Sequence, residues 1–192
     1  MNIIFEGIDA SGKTTLLNET LKVLIEKGEK AEYIREIGNT PLQLLLNDML
    51  SKDLFFQSKE KFNTSIYETF LLAAGFFYIQ ESLRNNTETI NLFDRDIITL
   101  ISYQKNIIFQ EYGEKCKKFL ENLEECFLFD LKKIDLVVYV SIDKEETFNR
   151  ILARDNVILN EEQKKFLLDS KHQMEKTLSS LIEKSNIPVL YI

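Results

Sequence analysis

Gly7, Gly12, Lys13 and Thr14 stand at the spacing G-x-x-x-x-G-K-[ST], with Ile8, Asp9, Ala10 and Ser11 between the glycines and Thr15 after them. Those residue types at that spacing suit the chemistry of phosphate. Glycines at the two ends let a short loop take backbone angles that other residues resist, so its N–H groups can turn inward at phosphate oxygens. A helix following the loop would add the positive end of its dipole. Lys13 supplies a mobile point charge for β and γ phosphates, and the Thr14 hydroxyl is placed to ligate Mg²⁺.

Such a loop works only between a strand and a helix, and the flanks supply both. Asn2-Ile3-Ile4-Phe5 is a short apolar, β-prone run, and Leu16, Leu17, Thr20, Leu21, Leu24 and Ile25 recur at helical spacing. Gly28 ends that helix, Ala31–Ile34 reads as a second strand, and Arg35-Glu36-Ile37-Gly38-Asn39-Thr40-Pro41 as a loop, with Thr40 capping a helix that starts at Pro41. From Ser65 to Leu83 the pattern is apolar enough to predict a buried helix, broken at Asn85-Asn86. Thr89–Phe93 is a third strand stopping at Asp94-Arg95-Asp96, and Ile97–Gln110 a helix containing Ser102-Tyr103-Gln104. Gly113–Leu131 predicts a solvent-facing amphipathic helix, and Ile134–Val140 a buried parallel strand. A helix over Lys144–Ala153, a loop at Asp155-Asn156, a long helix capped by Asn160 and running to Lys184, and a fifth strand over Ile187–Ile192 complete the chain.

Strands alternating with helices imply a parallel sheet with helices on both faces and ligands beyond the carboxyl ends of the strands. The charged clusters fall at those ends. No linker, repeat or low-complexity tract interrupts the chain, so residues 1–192 are expected to form one domain. Its 192 residues suffice for a well-buried α/β domain. A formal charge of −7 argues against coating nucleic acid. Two cysteines without metal or redox spacing, Cys116 and Cys126, read as free thiols in a reducing compartment. With His172 as the only histidine, the sequence argues against a histidine metal site or a Ser-His-Asp triad. Neither a signal peptide nor an apolar run of membrane-spanning length is present in the sequence, so a cytoplasmic protein with no membrane partner is expected.

Taken together the clusters resemble thymidylate kinase. Phe5-Glu6-Gly7-Ile8-Asp9 leading into Gly12-Lys13-Thr14-Thr15 matches that family's opening. Arg35–Pro41 is similar to its R-E-P-G-G-T-P segment, departing at Ile37 and Asn39, and Asp94-Arg95-Asp96 with Ser102-Tyr103-Gln104 to its D-R-[YH] and A-Y-Q pair. Arg150 and Arg154 fall where its lid arginines lie. The resemblance implies a three-layer P-loop NTPase fold, with a five-stranded parallel sheet, helices on both faces and a short lid at about residues 150–158. It implies ATP held by Gly7, Asp9, Ala10, Ser11, Gly12, Lys13, Thr14 and Thr15, and Mg²⁺ at Thr14 with Asp94 reaching it through water. By the same likeness Asp9 receives the deoxyribose 3′-hydroxyl, Arg35 and Arg95 clamp the acceptor phosphate, Tyr103 disfavours a 2′-hydroxyl and Gln104 meets the base edge. Arg154, with Arg150, closes over the transferring group, since Ala10 stands where some members have a P-loop arginine. The implied partners are nucleotides and a second copy of the chain in a homodimer.

The sequence departs from the family where the base is read. Leu72 occupies the stacking position, Phe76 the arginine position, and Ile101 a position often polar, so base discrimination is expected to be altered. On residue types alone plainer roles exist: Arg95 in an ion pair with Asp94 or Asp96, Arg35 with Glu36, Tyr103 packed, and Gln104 and Arg154 solvated. Two rival functions share these features: a deoxynucleoside kinase using Glu36 as base, and a homologue that binds nucleotide with little turnover.

Overall fold

The computed structural model describes residues 1–35, 41–52, 65–82, 88–130 and 134–192. Glu36–Thr40, Leu83, Asn85-Asn86 and Leu131, each part of an expectation above, lie outside the described residues.

Five strands are present among the described residues: β1 (Asn2–Glu6), β2 (Ala31–Arg35), β3 (Ile90–Asp94), β4 (Leu136–Tyr139) and β5 (Val189–Tyr191). Every neighbouring pair is parallel, in the order β2-β3-β1-β4-β5. The described helices are α1 (Lys13–Glu26), α2 (Pro41–Lys52), α3 (Ser65–Ser82), α4 (Ile97–Tyr112), α5 (Lys117–Asp130), α6 (Lys144–Asp155) and α7 (Glu161–Ser185).

Alternation along β1 divides the interior. Ile3 and Phe5 pack with Leu17 of α1, Leu92 and Val138 on one face of the sheet. Ile4 faces the other way, into a larger cluster holding Phe93, Val137 and side chains of α3, α4 and α7, among them Phe76, Ile98, Phe166 and Leu178. A sheet covered on both sides explains why its strands read as nearly continuous apolar runs. The strand order also fixes where a ligand can bind. The connection leaving β1 runs to the β2 side and the one leaving β3 crosses to the β4 side, so a crevice opens between the carboxyl ends of β1 and β3.

Four expectations are adjusted. Arg35 belongs to β2 rather than to the loop after it. The region after Gly113 begins with a 3₁₀ turn, Gly113–Cys116, before α5. Helix α6 runs to Asp155 and ends on Asn156 at φ 54°. Helix α3 is not buried all round: Ala73 and Phe76 face the core, while Tyr67, Phe70, Phe77 and Tyr78 are exposed. Its apolar residues occupy every face, a pattern that cannot say which of them a single chain covers. Asn160 caps α7 as its position predicts, in a reciprocal capping box with Gln163.

Candidate active site

The loop between β1 and α1 is built on backbone angles. Gly7 has φ +151° and Gly12 φ +101°. A Cβ on Gly7 would lie 2.4 Å from the Val140 carbonyl oxygen and 2.6 Å from Ser11 Oγ. Gly7→Ala is therefore expected to destabilise the fold by roughly 2 kcal/mol, read as a lowered melting temperature, and to weaken nucleotide binding with it. Ala10 is also left-handed, at φ +60°, and packs, as Phe148 does, against the cluster formed by Ile151 of α6 with Leu159 and Leu167. Lys13 opens α1 and is buried to 6 % exposure. Arg150 of α6 leans over the loop: Nη1 donates to the Ser11 carbonyl at 3.4 Å, and Nε to Glu146 Oε1 at 2.6 Å.

The tip of β3 meets this loop from the adjacent strand. Asp94 Oδ2 accepts from Thr14 Oγ1 and from the Tyr33 hydroxyl, both at 2.8 Å. Asp94 Oδ1 is buried with no hydrogen-bond partner among the described residues. Arg95 follows in the left-handed region, φ +69°, with its N–H on the Phe5 carbonyl at 3.0 Å. Its Nη2 donates to Asp9 Oδ1 at 2.6 Å, and its guanidinium lies 5.5 Å from the centre of the Tyr103 ring. The Tyr103 hydroxyl donates to Asp9 Oδ2 at 3.0 Å. Burial alone would raise the Asp9 carboxyl. The charges of Arg95, then Lys13, with the Tyr103 hydrogen bond and more distant Arg154, outweigh it and hold Asp9 below its ordinary range. Tyr103 is driven the other way, well above the ordinary phenol range, by burial first and the Asp9 charge second, so it stays a neutral donor.

Helix α4 is anchored beneath the site by Glu6, fully buried at the end of β1. Glu6 Oε1 accepts from the N–H of Asp96 at 3.0 Å and of Thr99 at 3.3 Å, and Oε2 accepts from the Thr99 hydroxyl. Burial pushes the Glu6 carboxyl up to about 8, against the Thr99 and Asp96 hydrogen bonds that oppose the rise.

Leu72 and Phe76 of α3 share one cluster with Ile101 and Tyr103 of α4. Gln104 is buried rather than solvated, and Thr69 Oγ1 of α3 donates to its Oε1 at 2.7 Å.

The predicted residues thus divide. Asp9, Lys13, Thr14, Asp94, Arg95 and Tyr103 lie in one connected group at the β1–β3 crevice, with Arg150 beside it. Arg35 and Arg154 stand at the rim. Arg35 is exposed, 5.9 Å from the centre of the Tyr33 ring. Arg154 forks onto its neighbour Asp155, both bonds 2.7 Å, though it still feels the charges of Asp9 and Arg95. Arg95 takes Asp9 as an ion-pair partner, a residue far away in sequence that the plainer readings did not offer. Glu6, Thr99, Tyr33 and Thr69 were not singled out from the sequence. A lone carboxylate ending an apolar strand was the signal for Glu6. Tyr33 had the weaker cue of standing two residues from Arg35, on the same face of β2. No group of three or more His, Cys, Asp or Glu residues suited to a metal ion occurs among the described residues.

Comparison with known proteins agrees with this architecture. A family model described as thymidylate kinase matches residues 5–192. The thymidylate kinase of Orientia tsutsugamushi is 28% identical over 190 residues, 96% of this chain and 80% of that protein. A probable thymidylate kinase of Methanobrevibacter smithii is 27% identical over 157 residues, 81% of this chain and 71% of its own. The crystal structure of thymidylate kinase from Ehrlichia chaffeensis superposes with a TM-score of 0.59 at 22% identity, covering 100% of this chain and 91% of that one, a likeness of fold. With a five-stranded parallel sheet, a glycine loop at its crevice and a family match over nearly its whole length, this chain belongs to the thymidylate kinase family of nucleoside-monophosphate kinases.

Proposed function

We propose that the chain transfers the γ-phosphoryl group of ATP to dTMP, giving dTDP, within a single P-loop kinase domain spanning residues 1–192 and a short lid over about residues 150–158. The observation that carries this reading is the Asp9–Arg95–Tyr103 group: an arginine at the tip of β3 is turned back onto the loop that begins with Gly7. A donor's triphosphate and an acceptor's phosphate are thereby brought to the two sides of one crevice.

In this reading the loop amides from Gly7 to Thr15 and the Lys13 ammonium hold the donor's β and γ phosphates. The acceptor's phosphate is already an anion, so no general base is needed, and catalysis is positioning and charge neutralisation. Arg95 and Arg35 clamp that phosphate, the guanidinium fork matching two of its oxygens. Asp9 accepts the sugar's 3′-hydroxyl and Tyr103 crowds out a 2′-hydroxyl. Arg150 already touches the loop. Arg154 would have to leave Asp155 to reach the transferring group, and an exposed pair of this kind has little energy holding it. Mg²⁺ fits the pair Thr14 and Asp94: a hydroxyl and a buried carboxylate with an unpartnered oxygen are hard donors of the kind it accepts, with waters and phosphates completing the shell. When bound, the ion would neutralise charge developing on the phosphates.

Leu72, Phe76 and Ile101 leave Gln104 as the polar group of the base-facing wall. Selection among pyrimidines would then rest on shape and on the thymine methyl, worth roughly tenfold. With ATP and Mg²⁺, dTMP is expected to be the best of dTMP, dUMP, dCMP, dAMP and dGMP, ahead of dUMP by about tenfold in kcat/KM, with thymidine inert. A panel in which dTMP is the poorest acceptor, or thymidine the best, overturns the assignment. The exposed aromatics of α3, with Phe70 edge-on to Phe119 of α5, support a homodimer through that face. Free cysteines at 116 and 126 accord with a cytoplasmic setting.

A further inference from the structure

We infer that Tyr33 is a positioning residue that serves both halves of the crevice at once, its hydroxyl setting the Asp94 carboxylate for the metal and its ring carrying Arg35 for the acceptor phosphate. This rests on the donor and acceptor sites proposed above.

The geometry begins with strand pairing. On β2 Tyr33 and Arg35 point to the same face, and β2 lies beside β3 with Tyr33 opposite Leu92 and Arg35 opposite Asp94. The Tyr33 ring is packed against the apolar cluster under α1, which includes Leu17 and Leu92. From there it reaches diagonally along β3 until its hydroxyl meets Asp94 Oδ2 at 2.8 Å. A ring held by packing and a tip held by a hydrogen bond has little freedom left.

The two bonds on Oδ2 have a consequence for Oδ1. Thr14 and Tyr33 both donate to Oδ2, which fixes the rotation of the carboxylate and leaves Oδ1, buried and unpartnered among the described residues, as the oxygen available to a metal or its water. Without the phenol one donor remains, and a carboxylate held at one point can rotate. Groups that orient a metal site in this indirect way commonly matter about tenfold or more for affinity.

The same ring has a second neighbour. The Arg35 guanidinium lies 5.9 Å from its centroid, within the range of a cation–π contact. Arg35 is exposed, so a flat aromatic surface beside it narrows the directions in which its fork can point. Hydroxyl and ring therefore do separable jobs, and substitutions can part them.

Tyr33→Phe keeps the ring and removes the oxygen; Tyr33→Leu removes both. Binding of Mn²⁺·ADP, followed through the electron paramagnetic resonance of free Mn²⁺, reads the first job without turnover. The acceptor KM for dTMP reads the second. Tyr33→Phe is expected to weaken Mn²⁺·ADP binding about tenfold and leave the acceptor KM unchanged. Tyr33→Leu is expected to weaken both, raising the acceptor KM about fivefold. Mn²⁺·ADP binding by Tyr33→Phe as tight as wild type overturns the inference, and so does an acceptor KM equal in the two variants. A wild-type protein that binds Mn²⁺·ADP and leaves dTMP untouched removes the acceptor reading alone, and the binding comparison still decides the role of the hydroxyl.

Discussion

Lys13→Met is expected to lower kcat for phosphoryl transfer by roughly 10³-fold while changing the melting temperature little. The ammonium stands at the first position of α1, where the helix dipole and the loop amides already favour anions. Its charge is buried to 6 % exposure, so it acts in a medium that screens poorly and is worth far more to a developing phosphate charge than a surface lysine would be. Methionine keeps the aliphatic stem and its packing, which confines the loss to the charge. A second effect should accompany the first. Lys13 is the next largest charge after Arg95 holding the Asp9 carboxyl down, so Asp9 should titrate at higher pH in the variant, visible by NMR of a carboxyl-labelled sample. A kcat within tenfold of wild type would mean that the phosphates do not lie at this loop.

The parts of the molecule legible in the sequence are those whose cause is local. Gly7, Gly12 and Lys13 are set by a spacing, Asn160 and Gln163 by a capping rule, and the central strands by runs of apolar residues that both faces of the sheet cover. The illegible parts depend on partners distant in sequence or on a choice between equals. Asp9 and Arg95 are 86 residues apart and Tyr33 and Asp94 61 apart; neither pairing follows from the residues around either member. Arg154 forks onto Asp155, a carboxylate one residue on that engages it at no cost in loop ordering. Phe70 and Phe77 match Phe76 in type, and packing into the core shared with α4, not hydrophobicity, decides which side chain is covered.

Removing Glu6 should destabilise the fold markedly, and its protonation should make stability depend on pH in an uncommon direction for a carboxyl. The group is wholly enclosed at the end of β1 and receives the Asp96 and Thr99 N–H groups that open α4. It thereby pins the turn in which Arg95 sits at φ +69°, a conformation that costs an ordinary residue roughly 1–2 kcal/mol and must be held by its surroundings. Glu6→Leu leaves two buried N–H groups without an acceptor, so a loss of roughly 3 kcal/mol is expected, on the order of 10 °C in melting temperature for a chain of this length. Glu6→Gln keeps an acceptor for both N–H groups and can donate to Thr99, so its loss should be small. The sign of the pH effect follows from the folded carboxyl being raised from 4.5 to about 8 by burial. Between those limits the folded state binds a proton that the unfolded chain does not. Stability from this group is complete below pH 4.5 and falls as pH rises toward about 8, with a limiting slope of about 1.4 kcal/mol per pH unit. Asp9, held low, loses its contribution only at acid pH, and Tyr103 and Tyr139, both raised by burial, only at alkaline pH, so the window is clear of them. Denaturant melts of wild type and Glu6→Gln from pH 5 to about 8 should therefore differ by an amount that shrinks or reverses steadily as the pH climbs. Parallel lines for the two proteins would show that Glu6 stays ionised in the folded state, and that Arg95 is held in its turn by a charge rather than by a neutral acid.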